Sequence, residues 1–267
     1  MTTGVLIFAY NNEHIDYLAM ANWSAKNIRR HLNLPVAVVT NIPPPSDYKF
    51  EQTIIANTIG KYTRKFNDLP ENVTWYNGNR VDAYSLSPWA RTLVLDADYI
   101  VASTQLKSIL TVNQDFLAHK TAIDITNDLS FDEHNYFGRN RMPMWWATVM
   151  MFRKSNTAQY IFDCMSMIRA NWRHYKDLYH ITGTNYRNDY ALSIALGIVS
   201  GHTLQVDNIP FRLASVMPEH KLTQLDEDFF QIEYPGEDKR PKKIAWAGTD
   251  FHAMGKKHLG DIIANSR

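Results

Sequence analysis

Arg91-Thr-Leu-Val-Leu-Asp-Ala-Asp-Tyr-Ile-Val101 is the most informative stretch of this 267-residue chain. Its apolar run at residues 93–95 has a β-branched centre, which is typical of a strand buried inside a parallel sheet. The run leads directly into Asp96-Ala97-Asp98. Two carboxylates at the end of a buried strand are costly without a partner, and a hard cation such as Mg²⁺ or Mn²⁺ takes such oxygen ligands. Two solvated aspartates at a strand end are the alternative interpretation.

The composition is that of an ordinary globular protein, with 45% hydrophobic and 21% charged residues. Lys and Arg together number 28 against 27 for Asp and Glu, so the net charge does not indicate a polyanionic partner. Cys164 is the single cysteine, which excludes an internal disulfide and a cysteine zinc site. The sequence shows neither a signal-peptide pattern nor a membrane-spanning apolar run, so we expect a soluble, cytoplasmic protein with no membrane partner.

The N-terminal part predicts a βαβ unit. Residues 4–9 and 35–40 are apolar strand runs, and residues 15–32 between them carry apolar side chains at helical spacing, with Asn33 as the end of the helix. Such sheets bind ligands beyond the carboxyl ends of their strands, where Tyr10-Asn11-Asn12 and Asp96-Ala97-Asp98 both fall. The prediction is one α/β domain over residues 1–267, with a mostly parallel mixed sheet flanked by helices.

The rest of the chain is less regular. We predict a short helix over 79–86, strands over 116–123 and 146–152, a helix that begins after Ser155 as its N-cap, and a further helix from about 188. Residues 127–144 lack periodicity and predict a long functional loop. The C-terminal part, with Pro235-Gly236 and a basic run from Lys239 to Lys243, is expected to be rich in loops.

A second motif stands at Trp246-Ala-Gly-Thr-Asp-Phe-His-Ala-Met-Gly-Lys-Lys-His258. Together with the Asp-x-Asp strand, its His252-Ala-Met-Gly255 resembles retaining GT-A glycosyltransferases of the glycogenin and bacterial galactosyltransferase kind. The resemblance implies a Rossmann-like GT-A fold and transfer of a sugar from a nucleotide sugar, UDP-sugar by preference. It also implies that Asp96, Asp98 and His252 hold Mn²⁺ or Mg²⁺, which carboxylates and imidazole suit. The family lysine falls at His258, whereas the lysines of this chain come earlier.

The same resemblance implies a donor-nucleotide half at residues 1–100 and an acceptor half, with the C-terminal metal-ligand segment, at 101–267. Tyr10 lies where members of the family hold the nucleotide base. Arg80 lies where the family has an arginine that reaches the donor sugar or the phosphates, and Asp82 would orient Arg80. Ordinary loop residues and a surface salt bridge are the alternatives. The donor-binding set implied is Ala9, Tyr10, Asn11, Arg80, Asp96, Ala97, Asp98, Gly255, Lys256 and Lys257.

Tyr186-Arg-Asn-Asp-Tyr-Ala-Leu-Ser193 resembles the acidic-Gln motif of the family, which places Asp189 beside the reacting carbon. A carboxylate there can stabilise an oxocarbenium-like centre, act as a nucleophile, or deprotonate an acceptor. A helix N-cap is the alternative role. The catalytic set implied is Asp189 with Asp96 and Asp98. The chain departs from the family at Trp146 and Thr148, which replace an Asn and a Gly beside the sugar.

Three segments, 8–13, 34–40 and 186–192, are also similar to glycosyltransferases of tailed phages. That resemblance implies hydroxymethylcytosine in double-stranded phage DNA as acceptor. Basic and aromatic side chains that can contact phosphates and stack on an extruded base are Arg139, Arg141, Trp145, Trp146 and Arg187. Core packing is the alternative for the tryptophans. Alternative functions are transfer to a glycan, lipid or protein, and a non-catalytic nucleotide-sugar- or DNA-binding accessory protein; a dehydrogenase is disfavoured by the absence of Gly-x-Gly-x-x-Gly.

Overall fold

A computed structural model describes residues 2–58, 61–65, 69, 72–76, 78–126, 135–183, 185–203, 206–236 and 240–265. The strands are β1 (Thr3–Ala9), β2 (Val36–Thr40), β3 (Gln52–Ile55), β4 (Lys61–Lys65), β5 (Asn72–Tyr76), β6 (Arg91–Asp96), β7 (Tyr99–Ile100), β8 (Phe116–His119), β9 (Ala122–Asp124), β10 (Tyr136–Phe137), β11 (Met142–Pro143), β12 (Trp146–Arg153), β13 (Leu213–Val216), β14 (Lys221–Leu225), β15 (Phe229–Pro235), β16 (Pro241–Ala247) and β17 (Phe251–Ala253). The helices are α1 (Tyr17–Leu32), a 3₁₀ turn (Asn79–Asp82), α2 (Ala83–Leu86), α3 (Lys107–Leu110), α4 (Asn156–Ala170), α5 (Trp172–Leu178), α6 (Asn188–Val199) and α7 (Lys256–Asn265).

The main sheet has six strands in the order β3-β2-β1-β6-β12-β8. Strands β3, β2, β1 and β6 run parallel to one another, and β12 runs antiparallel to both β6 and β8. Strand β6 therefore lies inside the sheet, and its apolar side chains from Leu93 to Leu95 are fully buried. The prediction of an α/β fold with a mostly parallel mixed sheet is confirmed.

Helices cover the sheet through their apolar faces. Helix α1 begins where Asp16 accepts a hydrogen bond from the N–H of Ala19, and it ends at Asn33, whose φ of 56° lies in the left-handed region. Helix α1 packs against β1 and β2, and α6 packs against α4 and β12. The predicted N-cap of α4 is confirmed, because Ser155 accepts a hydrogen bond from the N–H of Ala158. Side chains from both ends of the chain join one hydrophobic cluster; the division at residue 100 stays a prediction.

The C-terminal part is more ordered than expected. Strands β14, β15 and β16 form an antiparallel sheet, and the order β7-β17-β13-β9 makes another. The expectation of a loop-rich segment was wrong because these strands are only half-buried. In β15, Phe230 and Ile232 point into the core while their neighbours are more exposed, an alternation that a short polar sequence conceals. The single strand expected over 116–123 is divided at Lys120 into β8 and β9, which belong to different sheets.

Two further stretches differ from expectation. Within the predicted loop at 127–144, residues 127–134 lie outside the described ranges, and β10 pairs with β11 beyond them. The poorly periodic stretch before residue 79 contains the antiparallel hairpin of β4 and β5.

Cys164 is buried on α4, as expected for a small apolar side chain. Among the described residues, the longest helices are too short or too polar to cross a bilayer.

Candidate active site

A cavity of about 300 Å³ opens beyond the carboxyl ends of β1 and β6. Its position is the one that parallel sheets favour, because the loops that follow neighbouring strands meet at this edge. Tyr10 enters the cavity from the end of β1, and Asp96, Ala97 and Asp98 enter it from the end of β6. Elements from the C-terminal half complete the wall, so the cavity joins residues distant in the sequence.

Three potential metal ligands meet in this cavity. The carboxylate oxygens of Asp96 and Asp98 and a ring nitrogen of His252 all lie within 4.8 Å of one another. Strand β17 carries His252 and pairs antiparallel with β7, where His252 stands opposite Tyr99. That pairing brings the C-terminal motif next to the Asp-x-Asp segment, as expected. The Nε2 atom of His252 is 3.5 Å from Asp98 Oδ1.

The chemistry of this trio fits Mg²⁺ or Mn²⁺. Oxygen ligands suit both ions, and imidazole suits Mn²⁺. Asp98 is 5% exposed, and its Oδ1 accepts no hydrogen bond from the described part of the chain. A buried carboxylate oxygen in that state is destabilised unless a cation approaches it. Asp96, Asp98 and His252 would therefore be the protein ligands of a divalent cation.

Burial and neighbouring charges shift the pKa values of Asp96 and Asp98 in opposite directions. Burial raises the pKa of Asp96 to about 6, although the charge of Arg80 acts against it. Burial would also raise the pKa of Asp98, but Lys256 and His252 hold that pKa well below its ordinary value. Asp98 is therefore the more firmly ionised of the two ligands.

Arg80 connects the metal trio to the main sheet. It lies on the 3₁₀ turn Asn79–Asp82, forms an ion pair with Asp96, and donates a hydrogen bond of 3.2 Å to the carbonyl oxygen of Ala147. The expectation that Asp82 orients Arg80 was wrong, because Asp82 lies 3.3 Å from Arg169 and pairs with it. Arg80 is thus fixed by the two strands that border the cavity.

The structure separates the two lysines of the C-terminal motif. Lys256, the first residue of α7, is buried, pairs with Asp98, and donates a hydrogen bond of 2.8 Å to the carbonyl oxygen of Ala253. Lys257 is exposed, pairs with Asp261 at 3.0 Å, and does not line the cavity. Gly255 is buried just before α7, also outside the cavity lining. Of the three, only Lys256 lines the cavity.

Asp189 enters the cavity from the first turn of α6. Its Oδ1 accepts a hydrogen bond of 3.0 Å from the N–H of Ala147, and its Oδ2 accepts one of 2.8 Å from Arg187. Burial would raise the pKa of Asp189, yet the charge of Arg187 and the Ala147 hydrogen bond bring it below its ordinary value. Arg187, not Asp189, occupies the N-cap position of α6. Asp189 therefore presents a charged carboxylate to the cavity.

Of the first two residues after β1, one lines the cavity and the other holds the start of α1. Tyr10 lines the cavity, and burial raises the pKa of its hydroxyl. Asn11 instead accepts a hydrogen bond of 2.8 Å from the N–H of Leu18 at the start of α1 and does not line the cavity. Ala9 is fully buried in β1, also outside the lining. Tyr17, on the first turn of α1, joins Tyr10 in the wall.

Sequence reasoning missed one wall of the cavity, the hairpin of β4 and β5. The guanidinium carbon of Arg64 lies 4.8 Å from the centre of the Trp75 ring. The hairpin is tied to the first loop, since Asn12 donates a hydrogen bond of 2.7 Å to the carbonyl oxygen of Thr74. The β-branched and aromatic run at 72–76 is a strand signal that the expectation overlooked. The cavity-lining residues of the hairpin are Arg64, Lys65, Trp75 and Tyr76.

Only two of the five residues expected to contact the acceptor line the cavity. Trp146 and Arg187 line the cavity, whereas Trp145 is buried at 4% exposure and does not. Arg139 and Arg141 are exposed and lie outside the lining, and the guanidinium of Arg141 stacks over the ring of Tyr136, with its carbon 4.6 Å from the ring centre. Residues 135–144 are likewise outside the cavity wall.

Comparison with known proteins finds similarity to solved glycosyltransferase structures. Glycosyltransferase GlyE of Streptococcus pneumoniae TIGR4 aligns at 11% identity and a TM-score of 0.44 over 78% of this chain, which spans 45% of that protein. The galactosyltransferase LgtC, in complex with donor and acceptor sugar analogues, aligns at 12% identity and a TM-score of 0.43, covering 72% of this chain and 70% of that one. The bifunctional glycosyltransferase WbbM aligns at 13% identity and a TM-score of 0.35, covering 62% of this chain and 34% of that one. No family model and no curated protein matches.

Proposed function

We propose that this protein is a metal-dependent glycosyltransferase that moves a sugar from a nucleoside diphosphate sugar, UDP-sugar by preference, to a hydroxyl acceptor. The observation that carries the proposal is the meeting of Asp96, Asp98 and His252 within 4.8 Å, in a cavity at the carboxyl edge of the sheet. A diphosphate and two carboxylates repel each other, so a site of this kind needs a cation between them. A bound divalent cation supplies Lewis-acid stabilisation of the charge that develops on the leaving diphosphate.

Basic side chains of the chain itself add to that stabilisation. Arg80 and Lys256 flank the metal trio, each held by a second contact to a backbone carbonyl. Fixed charges of this kind stabilise a leaving diphosphate without reorganisation at the moment of reaction. Arg80 and Lys256 are therefore assigned to the phosphates, and Mn²⁺ or Mg²⁺ to the trio.

Aromatic side chains make up a further part of the cavity wall. Tyr10, Tyr17, Trp75 and Tyr76 all line it. A nucleobase binds such a surface by stacking, which contributes about 1–3 kcal/mol per base. We assign the base of the donor to this surface, which leaves the sugar between the metal trio and Asp189. Asp189 is ionised and fixed by two hydrogen bonds, and we assign it to the reacting carbon or to the acceptor hydroxyl.

The decisive measurement is UDP affinity with Mn²⁺ and with EDTA, by calorimetry. We expect wild-type binding to require the metal, and Asp98→Asn to abolish that requirement together with most of the affinity, since a neutral amide replaces a charged ligand. Asp261→Asn makes the same chemical change at an exposed position of α7 and should bind as the wild type does. Full metal-dependent affinity in Asp98→Asn would refute the metal assignment.

Hydrolysis of UDP-sugar with Mn²⁺ and no acceptor separates an enzyme from an accessory binding protein. Slow release of free sugar, lost in Asp98→Asn, supports the transferase. Tight binding without any turnover, across several UDP-sugars and acceptors, supports the non-catalytic alternative.

For the acceptor, we propose hydroxymethylated double-stranded DNA, with glycan, lipid and protein hydroxyls as the alternatives. Support comes from Trp146 in the cavity wall and from the exposed cations Arg139 and Arg141 elsewhere on the surface. An extruded base would stack on aromatic side chains while the duplex phosphates meet the cations. Mass spectrometry of hydroxymethylated and plain DNA after incubation with UDP-sugars tests this assignment.

A further inference from the structure

The 3₁₀ turn Asn79–Asp82, which carries Arg80, is held in place by a neighbouring helix. A turn of only four residues satisfies few of its own backbone groups, and Gly78, the residue that precedes it, has no side chain with which to cap it. Such a turn depends on contacts from other elements for its position. Helix α4 packs against the turn and supplies a contact of this kind.

The contact comes from Arg169, on the last turn of α4. Its Nη1 atom donates a hydrogen bond of 2.5 Å to the carbonyl oxygen of Gly78 and lies 3.3 Å from the carboxylate of Asp82. Its Nη2 atom lies 3.5 Å from the hydroxyl oxygen of Ser166, one turn earlier on α4. One guanidinium nitrogen therefore joins the residue before the turn to the last residue of the turn.

The pair of Arg169 with Asp82 is partly shielded from solvent. The two side chains are 18% and 30% exposed, respectively. Hydrogen bonds to charged groups are stronger than those between neutral groups, and the planar guanidinium loses less freedom per hydrogen bond than a lysine does. Arg169 therefore fixes both ends of the turn more firmly than a solvated surface ion pair would.

The turn determines where the guanidinium of Arg80 can reach. That guanidinium pairs with Asp96 at the end of β6 and donates a hydrogen bond of 3.2 Å to the carbonyl oxygen of Ala147, while the turn holds the backbone of Arg80. Asp96 is also a ligand of the proposed metal site, so a cation bound there would compete with Arg80 for its charge. The restraint imposed by the turn is the one that a bound cation leaves unchanged.

We propose that Arg169 is a positioning residue, which acts on donor binding through Arg80 by fixing both ends of the turn that carries it. The inference rests on the proposed function, in which Arg80 meets the diphosphate, and it adds a residue that lies outside the cavity lining. Substitution of Arg169 should weaken binding of the diphosphate only as far as Arg80 contributes to that binding.

A double-mutant cycle separates action through Arg80 from a general loss of structure. The affinity for UDP with Mn²⁺ is measured by calorimetry in the wild type, Arg169→Gln, Arg80→Gln and the double variant. Arg173→Gln is the control, because Arg173 lies exposed on α5, away from the cavity, and its substitution removes an equal charge elsewhere. Urea unfolding of the same proteins records the change in stability.

We expect Arg169→Gln to weaken UDP binding about 10-fold, and the double variant to bind UDP no more weakly than Arg80→Gln does. Arg169→Lys keeps the charge without the planar fork and should recover part of the affinity, whereas Arg173→Gln should bind as the wild type does.

A purely structural role of Arg169 predicts the same fold loss of affinity with and without Arg80, and that additive result would overturn the proposal. So would an Arg169→Gln variant that binds UDP as tightly as the wild type. If Arg169→Gln does not fold, Arg169→Lys takes its place in the cycle, with a smaller expected loss and the same criterion of additivity.

The proposed function fails by a different result, namely wild-type protein that does not bind UDP with Mn²⁺. The positioning role is then tested by crystal structures of the wild type and of Arg169→Gln, or of Arg169→Lys if only that variant folds. Displacement of the Arg80 guanidinium from Asp96 and from the Ala147 carbonyl oxygen would uphold the role. Retention of both contacts in the variant would overturn it.

Discussion

Asp189 accepts a hydrogen bond of 2.8 Å from Arg187, two positions before it at the start of α6. The other carboxylate oxygen is held by the N–H of Ala147 at 3.0 Å, so α6 and β12 fix the group together. Both contacts favour the charged form of Asp189. A carboxylate kept ionised and immobile inside a cavity is suited to act on a reacting centre.

Asp189→Asn tests that role. The amide oxygen can still accept the Ala147 hydrogen bond, so we expect the fold and UDP affinity to persist while turnover falls by about 100-fold or more. Steady-state kinetics and calorimetry on the same preparations measure the two effects. Asp177→Asn, an exposed change on α5, is the control and should keep full turnover. A decrease of less than about tenfold in Asp189→Asn would assign the residue a structural role.

Metal binding should also be visible as thermal stabilisation. Mn²⁺ at about 100 times its Kd is expected to stabilise the wild type by about 2.7 kcal/mol, which raises Tm by several degrees. Asp98→Asn should lose this shift, and His252→Ala should retain part of it because both carboxylates remain. Differential scanning fluorimetry with Mn²⁺ or EDTA measures the shift, with His174→Ala on α5 as the control. An undiminished shift in His252→Ala would exclude that histidine from the ligand set.

His119 should make stability depend on pH. It is fully buried in β8, where its Nδ1 donates to the carbonyl oxygen of Phe211 at 3.0 Å, and burial lowers its pKa to about 4. The unfolded chain binds a proton near the ordinary pKa of about 6.5, whereas the native state does not. The contribution of His119 to the free energy of unfolding should therefore be fully present above about pH 6.5. As the pH falls from about 7 to about 4.5, the free energy of unfolding should decrease by about 2 kcal/mol.

His119→Asn keeps an N–H for Phe211 and removes the titration, so its loss of stability across that range should be smaller by about 2 kcal/mol. Urea unfolding at both pH values measures the difference. The exposed His174→Asn should behave as the wild type does. Identical pH dependence of wild type and His119→Asn would contradict the prediction.

Two glycines with similar backbone conformations should differ sharply in how much stability is lost when each is replaced by alanine. Gly138 has a φ of 65°, and a Cβ there would lie 2.0 Å from the carbonyl oxygen of Tyr179; Gly201 has a φ of 62° and open space around it. Gly201→Ala should cost about 1 kcal/mol, from the left-handed conformation alone. Gly138→Ala should cost about 3 kcal/mol, because overpacking against the backbone is added. Equal losses in urea unfolding would contradict the described packing.

A DNA acceptor makes a prediction about salt. Arg139 and Arg141 are exposed, so each would release counterions on meeting a phosphate. Replacing both by alanine should reduce the log–log slope of DNA affinity against salt by about 2 and leave hydrolysis of the sugar nucleotide unchanged. Transfer to hydroxymethylated duplex at two salt concentrations measures this. Absence of transfer at low salt with several UDP-sugars would remove DNA as the acceptor.

The sequence predicted those features that local pattern determines. An apolar run buried on both faces identified β6, and the polar end of that run identified Asp96 and Asp98. The relation of His252 to those carboxylates came from family resemblance, because it depends on the pairing of β17 with β7 across most of the chain. Long-range pairing of short strands leaves no periodic signal in a single sequence.

Other features depend on fine geometry. Lys256 and Lys257 are adjacent, yet only Lys256 turns back onto Asp98, since consecutive helical positions point about 100° apart and the start of α7 sets which one faces the cavity. Arg64 was missed for a related reason. Its strand is short and half-exposed, so its residues resemble an ordinary surface loop.

The pairing of β17 with β7 places the completion of the cavity after the completion of the main sheet during synthesis. The six-stranded sheet is finished once β12 has been made, whereas His252 and Lys256 belong to β17 and α7, which are made later. A nascent chain lacking these two elements has its Asp-x-Asp carboxylates without their C-terminal partners. Ligand binding is therefore a property that the protein gains only after β17 and α7 have been translated.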